Sequence, residues 1–395
     1  MKVLHVNNIL DPVRGGGTAE RIMQVSRFLS MRGVDCTILT LDVGVTESMR
    51  ASAGAVRIAT LPCLIERYFV PSLSRDTLSV LVSSADVIHM MNHWTILNAL
   101  VFLYARRYGK PYAVCPAGAL PLFGRSKFIK KIYNLVIGKK IVRQAASCIA
   151  ISPREVEDFK RYGAEAERIS VIPNGIDPEG LTRRDDRGFR KKYGLPDISI
   201  PILLFLGRLN PIKGPDLLLE AFIRAVRKER FPHHLVFAGP DGGMLRELKA
   251  RSTSEGLMAR VHFPGHVGGE DKSHALHAAD MLVIPSRQEA MSIVVLEAGI
   301  TGTPVLITDQ CGFNEVEAAG GGRVVAATAE ALQQGLTSML GDRDRLRRMG
   351  QKLETYVRAN FLWERMVDRY IELFEAMNKK IADRSFRRIS DCGRG

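Results

Sequence analysis

The sequence predicts an α/β protein built from two doubly wound, Rossmann-like domains facing each other across a cleft. Three observations predict it. A strand, a glycine-rich loop, a helix and a second strand open the chain; short apolar runs alternate with helical patterns through both halves; and a polar, turn-rich stretch from Asp177 to Ile200 separates the two series. At 395 residues the chain exceeds what one core ordinarily supports, and a 46% hydrophobic content is that of a soluble globular protein.

Each element follows from local pattern. "KVLHV" reads as the first strand and "RGGGTAE" as the loop that leaves it. In "AERIMQVSRFLSMRG", Ile22, Met23, Val25, Phe28 and Leu29 recur at helical spacing, with Gly33 at the C-cap, before the strand "CTILTL". "ADVIHMM", "PYAVCP", "ASCIAIS" and "ISVIPNG" continue the first series; "ILLFLG", "HLVFAG", "VHFPG", "MLVIPS" and "PVLIT" form the second. The boundaries are a first domain over 1–180, a linker over 181–200, a second domain over 201–362, a C-terminal helix over 363–380 that packs back on the first domain, and a basic tail over 381–395. Ligands are expected beyond the C-terminal ends of the strands.

Bulk properties exclude several classes. No run reaches the roughly 18 apolar residues of a membrane span, and "MKVLHVNNIL" lacks the parts of a signal peptide. The six cysteines are scattered, with neither a CxxC pair nor a zinc knuckle, which fits a reducing cytoplasm. The net charge of +14, concentrated in the first half, points to anionic partners. No recognition helix or aromatic-basic platform is visible, so nucleic acid is not an expected partner.

Three loops carry chemistry. "RGGGTAE" at 14–20 presents bare backbone amides at a helix start, suited to an anion or simply to a tight turn. "GRLNPIKG" at 207–214 sets Arg208 and Lys213 after a strand, suited to a diphosphate or to solvent; Ile212 and Gly214 rule out a Walker A loop. "QEAMSIVVLEAG" at 288–299 places Glu289 on a loop and Glu297 inside an apolar helix that begins near Ser292. A carboxylate there needs a partner, either a buried Lys or Arg or the hydroxyls of a ligand.

In this order, with "VIPNGID", "FAGPDG", "VHFPGHV", "AADMLVIPS" and E-x7-E followed by "GTPV", these segments resemble the GT4 family of glycosyltransferases, over about residues 1–375. The resemblance implies the GT-B fold and transfer of a sugar, a hexose in particular, from a nucleotide-sugar with retention of anomeric configuration. It implies an acceptor-side first domain, a donor-binding second domain, no cofactor and no metal. The string Asp342, Arg343, Asp344 lies in a charged helix and reads as a solvated face. By the same resemblance Arg208 and Lys213 neutralise the donor diphosphate, Glu297 grips the ribose hydroxyls and Glu289 faces the donor sugar. Backbone amides of Met291, Ser292 and Ile293 stand near the phosphates, Gly16 and Gly17 line them, and His93 in "MMNHWTILN" stands near the reacting sugar. Many relatives have E-G/A-F-G where this chain has Glu289, Ala290, Met291 and Ser292, so donor identity does not carry over.

Residues 125–143, "RSKFIKKIYNLVIGKKIVR", hold seven Lys or Arg and no acid, with Phe128, Ile132, Leu135, Val136 and Val142 at helical spacing. The expectation is a peripheral enzyme on the inner face of the cell membrane, acting on a glycan or lipid-linked glycan in cell-surface polysaccharide synthesis. The alternative for the helix is that its apolar face packs on the sheet. A nucleotide-sugar 2-epimerase of the same fold and a non-enzymatic basic binding protein are the competing functions; the E-x7-E region and the basic helix favour the transferase.

Overall fold

The structure is a computed structural model that describes residues 1–122, 127–228 and 231–392. It divides into two compact units. The first comprises Met1–Asn174 and the C-terminal segment from Trp363; the second is Gly175–Leu362.

In the first unit the strands are β1 (Lys2–Val6), β2 (Asp35–Leu41), β3 (Arg57–Leu61), β4 (Cys63–Ile65), β5 (Val70–Pro71), β6 (Val87–Met91), β7 (Tyr112–Cys115), β8 (Ser147–Ala150) and β9 (Ile169–Val171). Seven of them form a parallel sheet in the order β3-β2-β1-β6-β7-β8-β9, while β4 and β5 pair separately as an antiparallel hairpin. All five residues of β6 are buried, because helices cover both faces of a parallel sheet and leave no strand face for solvent. The order reverses between β1 and β6, and the loops after these two strands flank the reversal.

The helix that follows β1, Pro12–Met31, breaks its helical geometry at Gly16, where φ is +56° and ψ is −142°. Only glycine adopts such a backbone without strain, so the "GGG" sequence is what lets the chain turn into the long helix. That helix carries Arg21, 1% exposed, whose guanidinium donates to Asn174 Oδ1 at 2.5 Å, Ile172 O at 2.8 Å and the Tyr370 hydroxyl at 2.7 Å. Tyr370 and Phe374 are fully buried in this unit, and Trp363 stacks on Phe28. Their helix, Trp363–Cys392, runs on past residue 380, where the sequence placed a tail; residues 393–395 of that tail lie outside the described residues.

The second unit holds β10 (Ile202–Leu206), β11 (His234–Ala238), β12 (Val261–Gly265), β13 (Met281–Ile284), β14 (Val305–Thr308) and β15 (Gly322–Val325), all parallel, in the order β12-β11-β10-β13-β14-β15. Its reversal lies between β10 and β13. The stretch 181–200, expected as a linker, is folded into this unit. The helix Asp186–Lys192 buries Phe189 and Arg190, and the Arg190 guanidinium donates to the carbonyls of Pro196, Asp197, Ile200 and Ala278. One buried arginine thus satisfies three backbone acceptors of a segment whose polar composition reads as a tether, and ties it to the carbonyl of Ala278.

Candidate active site

At the reversal of the first sheet the chain leaves β6 through Asn92, which has φ +65° and donates from its side-chain amide to Asn7 Oδ1 at 2.6 Å. This turn presents His93 and Trp94. His93 is 2% exposed, and burial lowers its pKa to about 4, so the ring is neutral at physiological pH. It lies edge-on to Trp94, Tyr133 and Tyr162, at centroid distances of 4.6, 5.6 and 5.3 Å. His93 and Trp94 line a cavity of about 250 Å³ together with Asn8, Arg14, Gly15 and Thr18 from the glycine-rich segment. Of the two predicted glycines there, Gly16 is half-buried and Gly17 exposed. Arg14, which sequence reasoning passed over, brings a cation to this cavity and pairs with Glu66 of the hairpin segment at 3.2 Å.

At the reversal of the second sheet the loops after β10 and β13 are pressed together. Gly214 has φ +67°, and a Cβ there would lie 2.1 Å from Pro285 O, so no other residue fits. Arg287 rivets the same two loops: its backbone N–H donates to Ile212 O, its Nη1 donates to Pro211 O, both at 2.7 Å, and its guanidinium forks onto Asp216. Lys213 is thereby held with its Nζ 2.9 Å from Glu289 Oε1. The Ser286 hydroxyl also donates to Glu289, whose backbone N–H donates to Gln310 O at 2.8 Å. Arg208 lies on the same loop as Lys213, its stem beside Gly242. The structure therefore brings Lys213 and Glu289 into direct contact, with Arg208 on the adjoining turn.

Glu297 lies inside the helix Ile293–Ile300 and is 7% exposed. Its partner is Lys272, with Nζ 2.6 Å from Oε1, so the carboxylate is satisfied within the unit. The helix starts where the sequence placed it, with Ser292 as its N-cap. One part of the expectation fails: the Ser292 N–H donates to Cys311 O at 3.1 Å and is not open to a phosphate, because the 289–292 loop is knitted to the segment after β14. Asp342 caps the helix Arg343–Asn360 by accepting from the Arg345 N–H at 2.9 Å, a structural duty that explains its place in the DxD-like string.

The basic stretch 125–143 departs from a single amphipathic helix. Arg125 and Ser126 lie outside the described residues; the rest forms the helix Lys127–Tyr133, a π-helical turn Asn134–Gly138 and the helix Lys139–Arg143. Ile141 and Val142 enter the core. Phe128, Ile129, Ile132, Leu135 and Val136 do not pack on the sheet; exposures of 74% for Phe128 and 83% for Leu135 leave a contiguous apolar surface among Lys127, Lys130, Lys131, Lys139 and Lys140.

Two family profiles match the chain in succession: residues 15–179 match Glycosyltransferase Family 4, and residues 188–355 match Glycosyl transferases group 1. The chain belongs to the GT4 family of glycosyltransferases. This glycosyltransferase is 26% identical to the D-inositol 3-phosphate glycosyltransferase of Geodermatophilus obscurus, in an alignment covering 98% of the chain and 91% of the relative. It is 31% identical to the protein of the same name from Nocardia farcinica, there over 60% of the chain and 54% of the relative, about half of the latter's length. Its fold is GT-B. Anabaena HepE in complex with UDP and glucose superposes with a TM-score of 0.77 at 18% identity, covering 95% of this chain and all of that one. WaaG, a glycosyltransferase involved in lipopolysaccharide biosynthesis, superposes with a TM-score of 0.69 at 22% identity, covering 93% and 98%. Among its described residues no helix is long and apolar enough to cross a membrane.

Proposed function

We propose that this glycosyltransferase is a retaining hexosyltransferase that uses a nucleotide-sugar and acts on a lipid-linked glycan at the cytoplasmic face of the cell membrane, in cell-surface polysaccharide synthesis. The observation that carries the acceptor reading is the exposed apolar surface of Phe128, Ile132, Leu135 and Val136, ringed by lysines. Apolar side chains at the level of the acyl boundary, with each cation near anionic lipid contributing about 1 kcal/mol, are what a peripheral enzyme requires.

In the proposed reaction the bond from the sugar's anomeric carbon to the diphosphate breaks and its electron pair leaves with the nucleoside diphosphate. An acceptor hydroxyl attacks from the same face and gives its proton to the departing phosphate oxygen. Arg208 and Lys213 meet the growing negative charge. Glu289, now paired with Lys213, and Glu297, now paired with Lys272, take the sugar and ribose hydroxyls as acceptors. Supporting this assignment, neighbours of the same fold were crystallised with UDP and with UDP-glucose. All the charge stabilisation assigned here comes from side chains, so no metal is required.

A second reading has its own support. The relatives are named for D-inositol 3-phosphate, and Arg14 supplies a cation to the cavity beside His93. One experiment separates the two: sedimentation with vesicles of phosphatidylglycerol, and transfer assays on membrane extract and on D-inositol 3-phosphate. The proposal expects salt-sensitive vesicle binding, lost when Lys130, Lys131, Lys139 and Lys140 are replaced by Gln with nucleotide binding unchanged. Equal binding by that variant, with transfer to D-inositol 3-phosphate and none to extract, would contradict it.

A further inference from the structure

The π-helical turn Asn134–Gly138 does two things at once. Its outer side carries Leu135 and Val136, at 83% and 60% exposure. Its inner side carries Asn134, 8% exposed, with Oδ1 3.2 Å from His93 Nε2 and Nδ2 2.7 Å from the Tyr162 hydroxyl. Successive residues of a helix diverge by about 100°, so Asn134 and Leu135 face different ways, and π turns recur where side chains serve a site.

The directions of these bonds are determined by a chain of donors and acceptors. Tyr162 has one hydroxyl proton, and it goes to the Leu120 carbonyl, which can only accept, at 2.8 Å. The Tyr162 oxygen must then accept from Asn134, which puts the amide NH₂ on that side and turns Oδ1 toward His93. A carbonyl oxygen cannot donate, so His93 carries its proton on Nε2 and keeps a lone pair on Nδ1. Space is closed around this arrangement: a Cβ on Gly138 would lie 2.5 Å from Asn134 Oδ1 and 3.0 Å from His93 Nε2.

We propose that Asn134 is the positioning residue of His93, holding it as the neutral Nε2–H tautomer so that Nδ1 accepts a hydrogen bond from a substrate hydroxyl in the adjoining cavity. This rests on the reading that His93 serves the reacting sugar. Its consequence is that the reaction centre is braced by the inner side of the same turn whose outer side is assigned to the lipid surface. Among the described residues the titratable groups around the ring are Tyr133 and Tyr162, whose hydroxyls burial pushes up, Arg14, which lines the cavity, and Lys130, whose Nζ lies 5.5 Å from the centroid of the Trp94 ring. No carboxylate faces His93 among them, so nothing in the set draws a second proton onto the ring.

The test is ¹⁵N spectroscopy of the histidine rings in the full chain, with kcat and KM on a panel of nucleotide-sugars. Wild type is expected to show His93 with pyrrole-type Nε2 and pyridine-type Nδ1. Tyr162→Phe, which frees the amide to turn, and Asn134→Leu should each mix the tautomers and lower kcat by about 10-fold with KM for donor little changed, the cost of one hydrogen bond in a buried site. Asn134→Asp keeps the acceptor and should restore the Nε2–H form while moving the ring's titration above about 4. A protonated Nδ1 in wild type, or an unchanged tautomer in both Asn134→Leu and Tyr162→Phe, overturns the proposal. Full activity in His93→Ala would instead remove His93 from the site and leave the tautomer result to be judged by the spectrum alone.

Discussion

The two sheet reversals are made from opposite materials. Around His93 the nearest groups are neutral, aromatic and joined by hydrogen bonds; of the cations at its edge, Arg14 is paired with a residue of the exposed hairpin segment and Lys130 lies over the Trp94 ring. Around Lys213 the groups are charged and already paired, Lys213 with Glu289 and Arg287 with Asp216, and Lys272 with Glu297 in the helix beyond. The difference separates two tasks. A site for a diphosphate has to keep cations in place before the ligand arrives, and pairing them with carboxylates avoids leaving a half-buried charge alone. A site for sugar hydroxyls needs fixed lone pairs and protons in a dry wall, which rings and amides supply.

Substitutions break the comparison most sharply on the charged side. Lys213→Ala and Arg208→Ala are each expected to lower kcat by about 100- to 1000-fold with a smaller change in KM, because each contact strengthens as the diphosphate departs. Steady-state kinetics on the donor that turns over checks this, and a change confined to KM would reduce them to ground-state binders. Glu297→Ala should weaken donor binding by about 10- to 100-fold, the loss of a charged hydrogen bond, with the helix Ile293–Ile300 retained. Calorimetry reads the affinity, and circular dichroism reads the helix.

Acidification sharpens it from the neutral side. Burial lowers His93 to about 4 and His5 to about 3 in the first unit, and the neighbouring His89 falls as well. In the unfolded chain each titrates near 6.5, so between about pH 6.5 and 4 the unfolded state binds more protons and stability falls as pH falls; above about 6.5 this stability is fully present. In the second unit His233 and His234, both lowered to about 4, and His262 and His277, which burial lowers as well, are less deeply enclosed. The first unit should therefore unfold first in acid. Both tryptophans, Trp94 and Trp363, lie in it, so their fluorescence should shift at higher pH than the far-ultraviolet dichroism of the whole chain. Coincident transitions would mean the two units share one stability. The smallest effect is expected from EDTA, which should leave transfer unchanged; loss of activity restored by Mg²⁺ would put a metal where the proposal has only side chains.

The fold was legible where a signal was strong and local. Apolar runs such as "ILLFLG" and "MLVIPS" became β10 and β13, and Ser292 opens the helix predicted from it. Strands β3 and β15 were not read, because "VRIATL" and "GRVV" mix charge and glycine into short runs, whereas the opposite edge strands β9 and β12 carry more distinct signals. The supposed linker was misread because its order comes from Arg190, and a single arginine bonding four carbonyls leaves no periodic trace. Lys213 and Glu289 were named from their loops, but neither their contact nor the Arg287 clamp is visible in sequence, since both depend on two segments meeting at the reversal between β10 and β13. Asn134 was hidden inside an apparently regular basic helix; only the π turn reveals which way it faces.

The central claim is that Arg208 and Lys213, the cations of the loop after β10 at the second reversal, form the diphosphate site of a nucleotide-sugar transferase. Calorimetric titration of UDP, GDP and ADP into wild type, Lys213→Ala and Arg208→Ala tests it most directly. The account predicts that one of the three nucleotides binds wild type and that either substitution weakens it by more than about 10-fold, as expected for a charge-assisted contact. Equal affinity in wild type and both variants would contradict it.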